Sequence, residues 1–223
     1  MTHTCHRRGA PDDLRGDYVI LPRVDPSVPA QARYGGPLPE RMRKLAQILA
    51  RHDPLALDVR LGTRPVGYTR PEPGGTAARA RVLEIARDPQ LTEVRHAVYG
   101  DRRAVECVLC DARDADLGIS LVVTGLFSEV EAACRVAGLR PHSLHVSLGT
   151  WGRTELLPDP RTLELCTMCG HGLVPATLVA DLVHRVRTGE LTDREAAVEA
   201  GRPCVCNIVN ARRAAAILKE KAT

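Results

Sequence analysis

Aromatic residues are scarce in this chain: one tryptophan, one phenylalanine and four tyrosines make up 3% of 223 residues. Its core has to be aliphatic, and single-strand nucleic-acid binding, which stacks bases on aromatic rings, has little to work with. Lysine is scarcer still for a basic protein. Only Lys44, Lys219 and Lys221 stand among the 31 basic residues, the other 28 being arginine, and no basic run exceeds two residues. At a net charge of +4, this pattern reads as arginine-rich codon usage rather than as a polyanion surface. Long apolar runs are missing too. The stretch 119–127 is broken by Ser120, Thr124 and Gly125, well short of the roughly 20 apolar residues of a membrane helix. The opening Met1-Thr-His-Thr-Cys-His-Arg-Arg lacks the apolar segment of a secretory signal, so a cytoplasmic protein with no membrane partner is expected. There is no Gly-Lys-Ser/Thr phosphate loop, no G-x-G-x-x-G, no H-E-x-x-H and no nucleophile elbow. Hydrophobic residues at 44% and charged residues at 26% exclude wholesale disorder.

What the chain does have is eight cysteines: Cys5, Cys107, Cys110, Cys134, Cys166, Cys169, Cys204 and Cys206. Without an export signal they read as metal or redox ligands rather than as a disulfide framework. Cys166 and Cys169 form a C-x-x-C in Leu165-Cys-Thr-Met-Cys-Gly-His-Gly, and Cys204 and Cys206 form a C-x-C after Pro203, with 34 residues between the pairs. Apolar positions 178, 179, 182, 183 and 186 make a helical stripe over 175–187, ended by Gly189. Thr192-Asp-Arg-Glu195 is a capping box for a helix over 193–200. Two antiparallel helices bring the start of the first near the end of the second, so both cysteine pairs fall at one end of a helical hairpin. Cys166, Cys169, Cys204 and Cys206 are therefore the expected metal ligands, with His171 as a possible substitute.

Thiolates are the ordinary ligands of iron–sulfur clusters, and a cluster can be reached from separate loops, which favours an iron–sulfur centre of the [4Fe-4S] type. Zinc is the alternative, although the gap exceeds that of common zinc ribbons. Cys107 and Cys110 sit on an expected strand, where residues three apart face opposite ways, and Cys134 on an expected helix. His142 and His145, three apart on another expected strand, do not share a face either.

The rest of the chain reads as an α/β (α+β) protein: a mixed sheet with packed helices, plus the small helical cysteine-rich metal module. Residues 1–36 are expected to be an extended arm with a strand candidate at 18–21, residues 37–152 the α/β domain, and residues 160–223 the metal module. Within the domain the pattern gives a helix over 39–51, a strand over 55–60, a helix over 77–87 capped by Thr76 and a strand over 94–98. A return strand over 104–109, a strand over 119–124, a helix from the capping box Ser128–Glu131 to Gly138 and a strand over 143–148 follow. Asn210 is placed to cap the last helix, from 211 to 221. Residues 62–75 read as a loop. Arg60, Arg64 and Arg70 there, with Gly75 and Thr76 at a helix start, form a candidate anion site.

Together these features predict a cytoplasmic iron–sulfur protein, a redox or sulfur-handling enzyme if it is one, meeting a small anionic substrate or a redox partner protein. The rival is a zinc-stapled binding module for an acidic partner or RNA.

Overall fold

The computed structural model describes residues 3–24, 34, 36–69, 76–204, 206 and 208–223. Five strands make one sheet: β1 (Tyr18–Arg23), β2 (Ala56–Leu61), β3 (Arg64–Thr69), β4 (Leu91–Tyr99) and β5 (Ser120–Thr124), in the order β3-β2-β4-β1-β5. The helices are α1 (Pro11–Leu14), α2 (Leu38–Arg51), α3 (Thr76–Arg87), α4 (Arg102–Ala115), α5 (Phe127–Val136), α6 (Pro160–Cys166), α7 (Ala176–Arg187), α8 (Asp193–Gly201) and α9 (Ala211–Ala222). The α/β (α+β) class holds. The pairings β1–β4, β1–β5, β2–β3 and β2–β4 are all antiparallel, so the sheet is not mixed.

Both faces of the sheet are covered, and the strand sequences show how. In β1, Tyr18 and Ile20 pack with Leu57, Val59, Ala97 and Tyr99 against the buried sides of α2, α4 and α5, while Val19 and Leu21 point the other way. That opposite face carries Leu55, Ala56 and Val98 and meets Cys169, Cys204, Cys206 and Ile208. Burial on both faces explains why β1 reads as an unbroken apolar run rather than an alternation. The Tyr99 hydroxyl donates to the Leu49 carbonyl at 2.8 Å, tying the sheet to α2. The helices α6 to α9 enclose a second apolar cluster of their own, with Leu165, Val179, Leu182, Ala197, Ile217 and Leu218 at its centre.

Several expectations need correction. The strand expected over 104–109 is part of α4. Val105, Val108 and Leu109 are its buried residues, at helical spacing, and the Asp101 carboxylate caps it by accepting from the Ala104 amide at 2.9 Å. Residues 64–69, expected as loop, pair with β2 as a hairpin whose turn uses Gly62 at φ +58. The strand expected over 143–148 does not form; those residues are exposed and outside regular structure. The α5 helix begins at Phe127, with no side-chain cap from Leu126, so the Ser128–Glu131 capping box is not made. The other box is made: Thr192 accepts from the Glu195 amide, and Glu195 accepts from the Thr192 amide. Asn210 caps α9 as expected, accepting from the Arg213 amide at 3.1 Å. The strand of the expected arm lies inside the sheet, between β4 and β5.

Candidate metal centre

The cysteine pairs meet because of how the helical layer turns. After α6 the chain makes a tight turn, with the Gly170 amide donating to the Thr167 carbonyl at 2.8 Å. Gly170 and Gly172 take positive φ values of +87 and +69, a region in which glycine is unstrained, and so fold His171 back over Cys169. At the far end α8 closes at Gly201, whose carbonyl accepts from the Cys204 amide at 3.1 Å, which brings Cys204 round to the same place.

There Cys169, His171, Cys204 and Cys206 present ligand atoms that all lie within 4.8 Å of one another. The sulfurs of Cys169 and Cys204 are 2.7 Å apart and those of Cys204 and Cys206 2.9 Å apart. His171 Nδ1 stands 3.6 Å from Cys169 Sγ and 3.9 Å from Cys204 Sγ. The three thiols are buried against the sheet, whereas His171 is exposed and forms the outer wall of the group. The amides of His171 and Ile208 point at Cys169 and Cys206 sulfur, at 3.4 and 3.5 Å. Hydrogen bonds from the neighbouring thiols hold the Cys169 thiol well below its ordinary pKa, while Cys204 and Cys206 are raised because they share those bonds with a sulfur that ionises first. Cys169 is therefore the first of the three to ionise. A cation makes it favourable for all three to lose their protons.

Cys166 is not in this group. It is the last residue of α6, and its side chain is buried with Leu165, Met168 and Val174 in the helical cluster, where burial pushes its thiol up. The helix that Asp159 caps runs through Cys166, so the C-x-x-C does not act as one chelating turn. Cys107 and Cys110 lie on α4, half-buried, and Cys134 is buried on α5. For the anion site, Arg60 lies on β2 with its guanidinium 3.2 Å from Glu93, Arg64 opens β3, and Thr76 opens α3. Arg70 and Gly75 lie outside the described residues.

Sequence reasoning missed the groups that hold the Cys169 turn in place. Arg7 Nε donates to the Met168 carbonyl, inside the Cys166–Cys169 turn, at 2.8 Å. The same guanidinium pairs with the fully buried Asp17, which also accepts from Arg213 at 2.7 Å and from the Asn210 amide at 3.0 Å. Arg213 reaches on to Glu164 at 2.6 Å. Burial alone raises the Asp17 carboxyl, but Arg7, Arg213 and Asn210 outweigh it and hold its pKa below the ordinary value. Gly9 packs against the Arg213 guanidinium so closely that a Cβ there collides with it. These partners are far apart in sequence, and no local pattern announces them.

A second polar pair occupies the same sheet face. Asp58 and His96 are cross-strand partners, both buried, with the imidazole Nδ1 3.8 Å from the carboxylate and Arg95 donating to Asp58 at 2.9 Å. Burial outweighs Arg95 and raises the Asp58 pKa to about 6. Between its ordinary value of 3.8 and about 6 the folded chain holds a proton that the unfolded chain has lost. Folding stability contributed by this group is thus full at low pH, falls as pH rises through that window, and is level above it. The drop is up to about 3 kcal/mol. In urea titrations from pH 4 to 7, Asp58→Asn should remove this slope while leaving the slopes due to other groups; a parent-minus-variant difference independent of pH would refute it.

Comparison with protein-family models, with curated proteins and with solved structures finds no match. No described helix is long and apolar enough to cross a membrane.

Proposed function

We propose that this chain is a metal-binding protein in which one tetrahedrally held ion of the zinc class fastens the helical layer to the sheet. The observation that carries this reading is the compactness of the group, three sulfurs and one imidazole nitrogen within 4.8 Å. Zinc–sulfur bonds of about 2.3 Å put tetrahedral sulfurs about 3.8 Å apart. The His171 distances of 3.6 and 3.9 Å match such an edge, and the sulfurs have to spread by about 1 Å to reach it. Thiolates on the separate irons of a [4Fe-4S] cluster stand much wider apart than ligands of one ion, so a cluster demands a larger opening of both loops. Four protein ligands make a closed site of the structural kind. Cys169, Cys204 and Cys206 would supply its charge, His171 its outer ligand, and the two sulfur-directed amides would orient the thiolates.

An iron–sulfur centre is the second reading, favoured by the three-to-one excess of thiols over imidazole in the group. In that reading the exposed His171 position faces a redox partner protein or a small anionic substrate.

Metal and acid-labile sulfide analysis of anaerobically purified protein decides between them. The expected result is a colourless protein with one zinc per chain and no sulfide, which on cobalt exchange shows the intense visible bands of tetrahedral thiolate coordination. Brown protein with iron and sulfide in equal amounts would overturn the zinc reading in favour of the cluster. Absence of any bound metal, together with failure to take up zinc, cobalt or iron, would overturn both.

A further inference from the structure

The connection between α5 and α6 is exposed from residue 140 to residue 157. It carries Leu144, Val146, Leu148, Trp151, Leu156 and Leu157, with Leu148 at 81% and Trp151 at 83% exposure. Leu144, Val146 and Leu148 alternate with His145 and Ser147, the pattern of a strand with one apolar side. Among the described residues, the backbone groups of 140–147 make no hydrogen bond within the chain. The segment is thus patterned to pair as a strand and, among the described residues, pairs with none. Monomeric soluble proteins rarely leave so many large apolar side chains together in water.

The same surface offers the complement. Among the described residues β5 is an edge strand, paired on one side with β1, so the rim of Ser120–Thr124 turns a row of backbone donors and acceptors outward. A short 3-10 turn at His3–His6 stands between the two features. Thr4 hydrogen-bonds Thr124 at the end of β5 through their hydroxyls at 2.8 Å, and His6 Nδ1 lies 3.1 Å from the Ser147 hydroxyl. Edge and unpaired segment therefore lie side by side on one surface of the molecule.

We propose that this surface is a two-fold dimer interface, in which residues 143–148 of each copy add as a strand to the β5 edge of the other. A two-fold contact requires both complementary halves on the same patch, which is the arrangement here. One operation then satisfies the edge and the segment of both copies, by the strand-addition mode of recognition. The six residues 143–148 match the five of β5 in length. The 18 residues of the segment with the five of the edge are comparable to the roughly 20–30 residues per side of a stable interface. The apolar side chains supply the hydrophobic centre that such an interface needs.

Sedimentation equilibrium of the full chain over a wide concentration range tests it, with hydrogen exchange read by mass spectrometry. The parent should run at twice 24.2 kDa, with slow exchange over 120–124 and 143–148. Val146→Lys and Leu148→Asp, each made on an exposed side chain, should both give monomers. In each, exchange should be fast in those two stretches and Trp151 emission shifted to the red, with far-UV circular dichroism and metal content unchanged. A parent that is monomeric at every concentration overturns the proposal. If that monomer still protects 143–148, the segment closes on its own β5; if it does not, the surface belongs to a different protein. A dimer that survives both substitutions overturns it equally.

Discussion

Replacing Cys204 with serine should strip the metal from the protein and loosen residues 160–223 from the sheet. Cys204 lies 2.7 and 2.9 Å from the other two sulfurs, and it is buried against Val19, Ala56 and Val98. Serine cannot supply a thiolate, and the remaining two thiols and imidazole leave an incomplete tetrahedron. Because no preformed site exists in the unfolded chain, binding free energy is folding free energy. The loss should be on the order of 5 kcal/mol, a part of the roughly 10–16 kcal/mol that structural zinc contributes in small zinc-finger peptides. Metal per chain after gel filtration falls to near zero, and urea unfolding of Cys204→Ser resembles that of chelated parent protein. Cys166→Ser is the informative contrast, because that side chain is in the helical cluster: it should keep full metal and lose only some packing. Metal loss in Cys166→Ser with retention in Cys204→Ser would reverse the ligand assignment.

The second large effect belongs to Arg213. Its guanidinium is buried between Asp17 and Glu164; Arg7 also pairs with Asp17 and Arg161 with Glu164, so three guanidinium groups meet two carboxylates. Arg213→Met keeps much of the volume and leaves Asp17 with Arg7 alone and Glu164 with the half-buried Arg161 alone, which should destabilise the fold by about 3–5 kcal/mol. The sign with pH follows from Asp17. Its folded pKa lies below the ordinary 3.8, so its contribution is full above that value and is lost as pH falls through the folded one. Without Arg213 the carboxyl rises, and acid unfolding should begin at higher pH than in the parent. Adding Asp17→Asn to Arg213→Met should recover part of the loss, since the two are one network and their effects are not additive. A double variant as unstable as the sum of the two singles would show that the groups act separately.

How far the sequence reveals this molecule depends on whether a feature is local. Cys169, Cys204 and Cys206 are legible because short spacings and a helical hairpin bring them together, and His171 because it lies two residues from Cys169. Cys166 misleads because C-x-x-C looks like one chelating turn, while the Asp159 cap starts a helix that carries Cys166 into a different cluster. The α4 helix was hidden behind Ala104-Val-Glu-Cys-Val, whose short apolar alternation imitates a strand; the spacing of Val105, Val108 and Leu109 is the better guide. The hairpin at Gly62 is masked by its arginines, Arg60 on β2 and Arg64 on β3, both exposed. No sequence pattern joins Arg7 and Asp17 to Arg213, because more than 190 residues separate Asp17 from its partner. A buried cationic pair of that kind is visible only once the layers are stacked.

That separation also sets a timetable. On the ribosome β1 emerges before the helical layer, so Asp17 stays without Arg213, and Val19 and Leu21 without Cys204 and Ile208, until residues 204–213 have left the exit tunnel. The side of the sheet packed on α2, α4 and α5 can close while the chain is still growing; the opposite side, apolar across Val19, Ala56 and Val98, stays bare until Cys204 and Ile208 emerge. Nascent chains stalled before Cys204 should therefore engage holding chaperones through that bare side, and chains extended past Arg213 should let go of them as the helical layer docks.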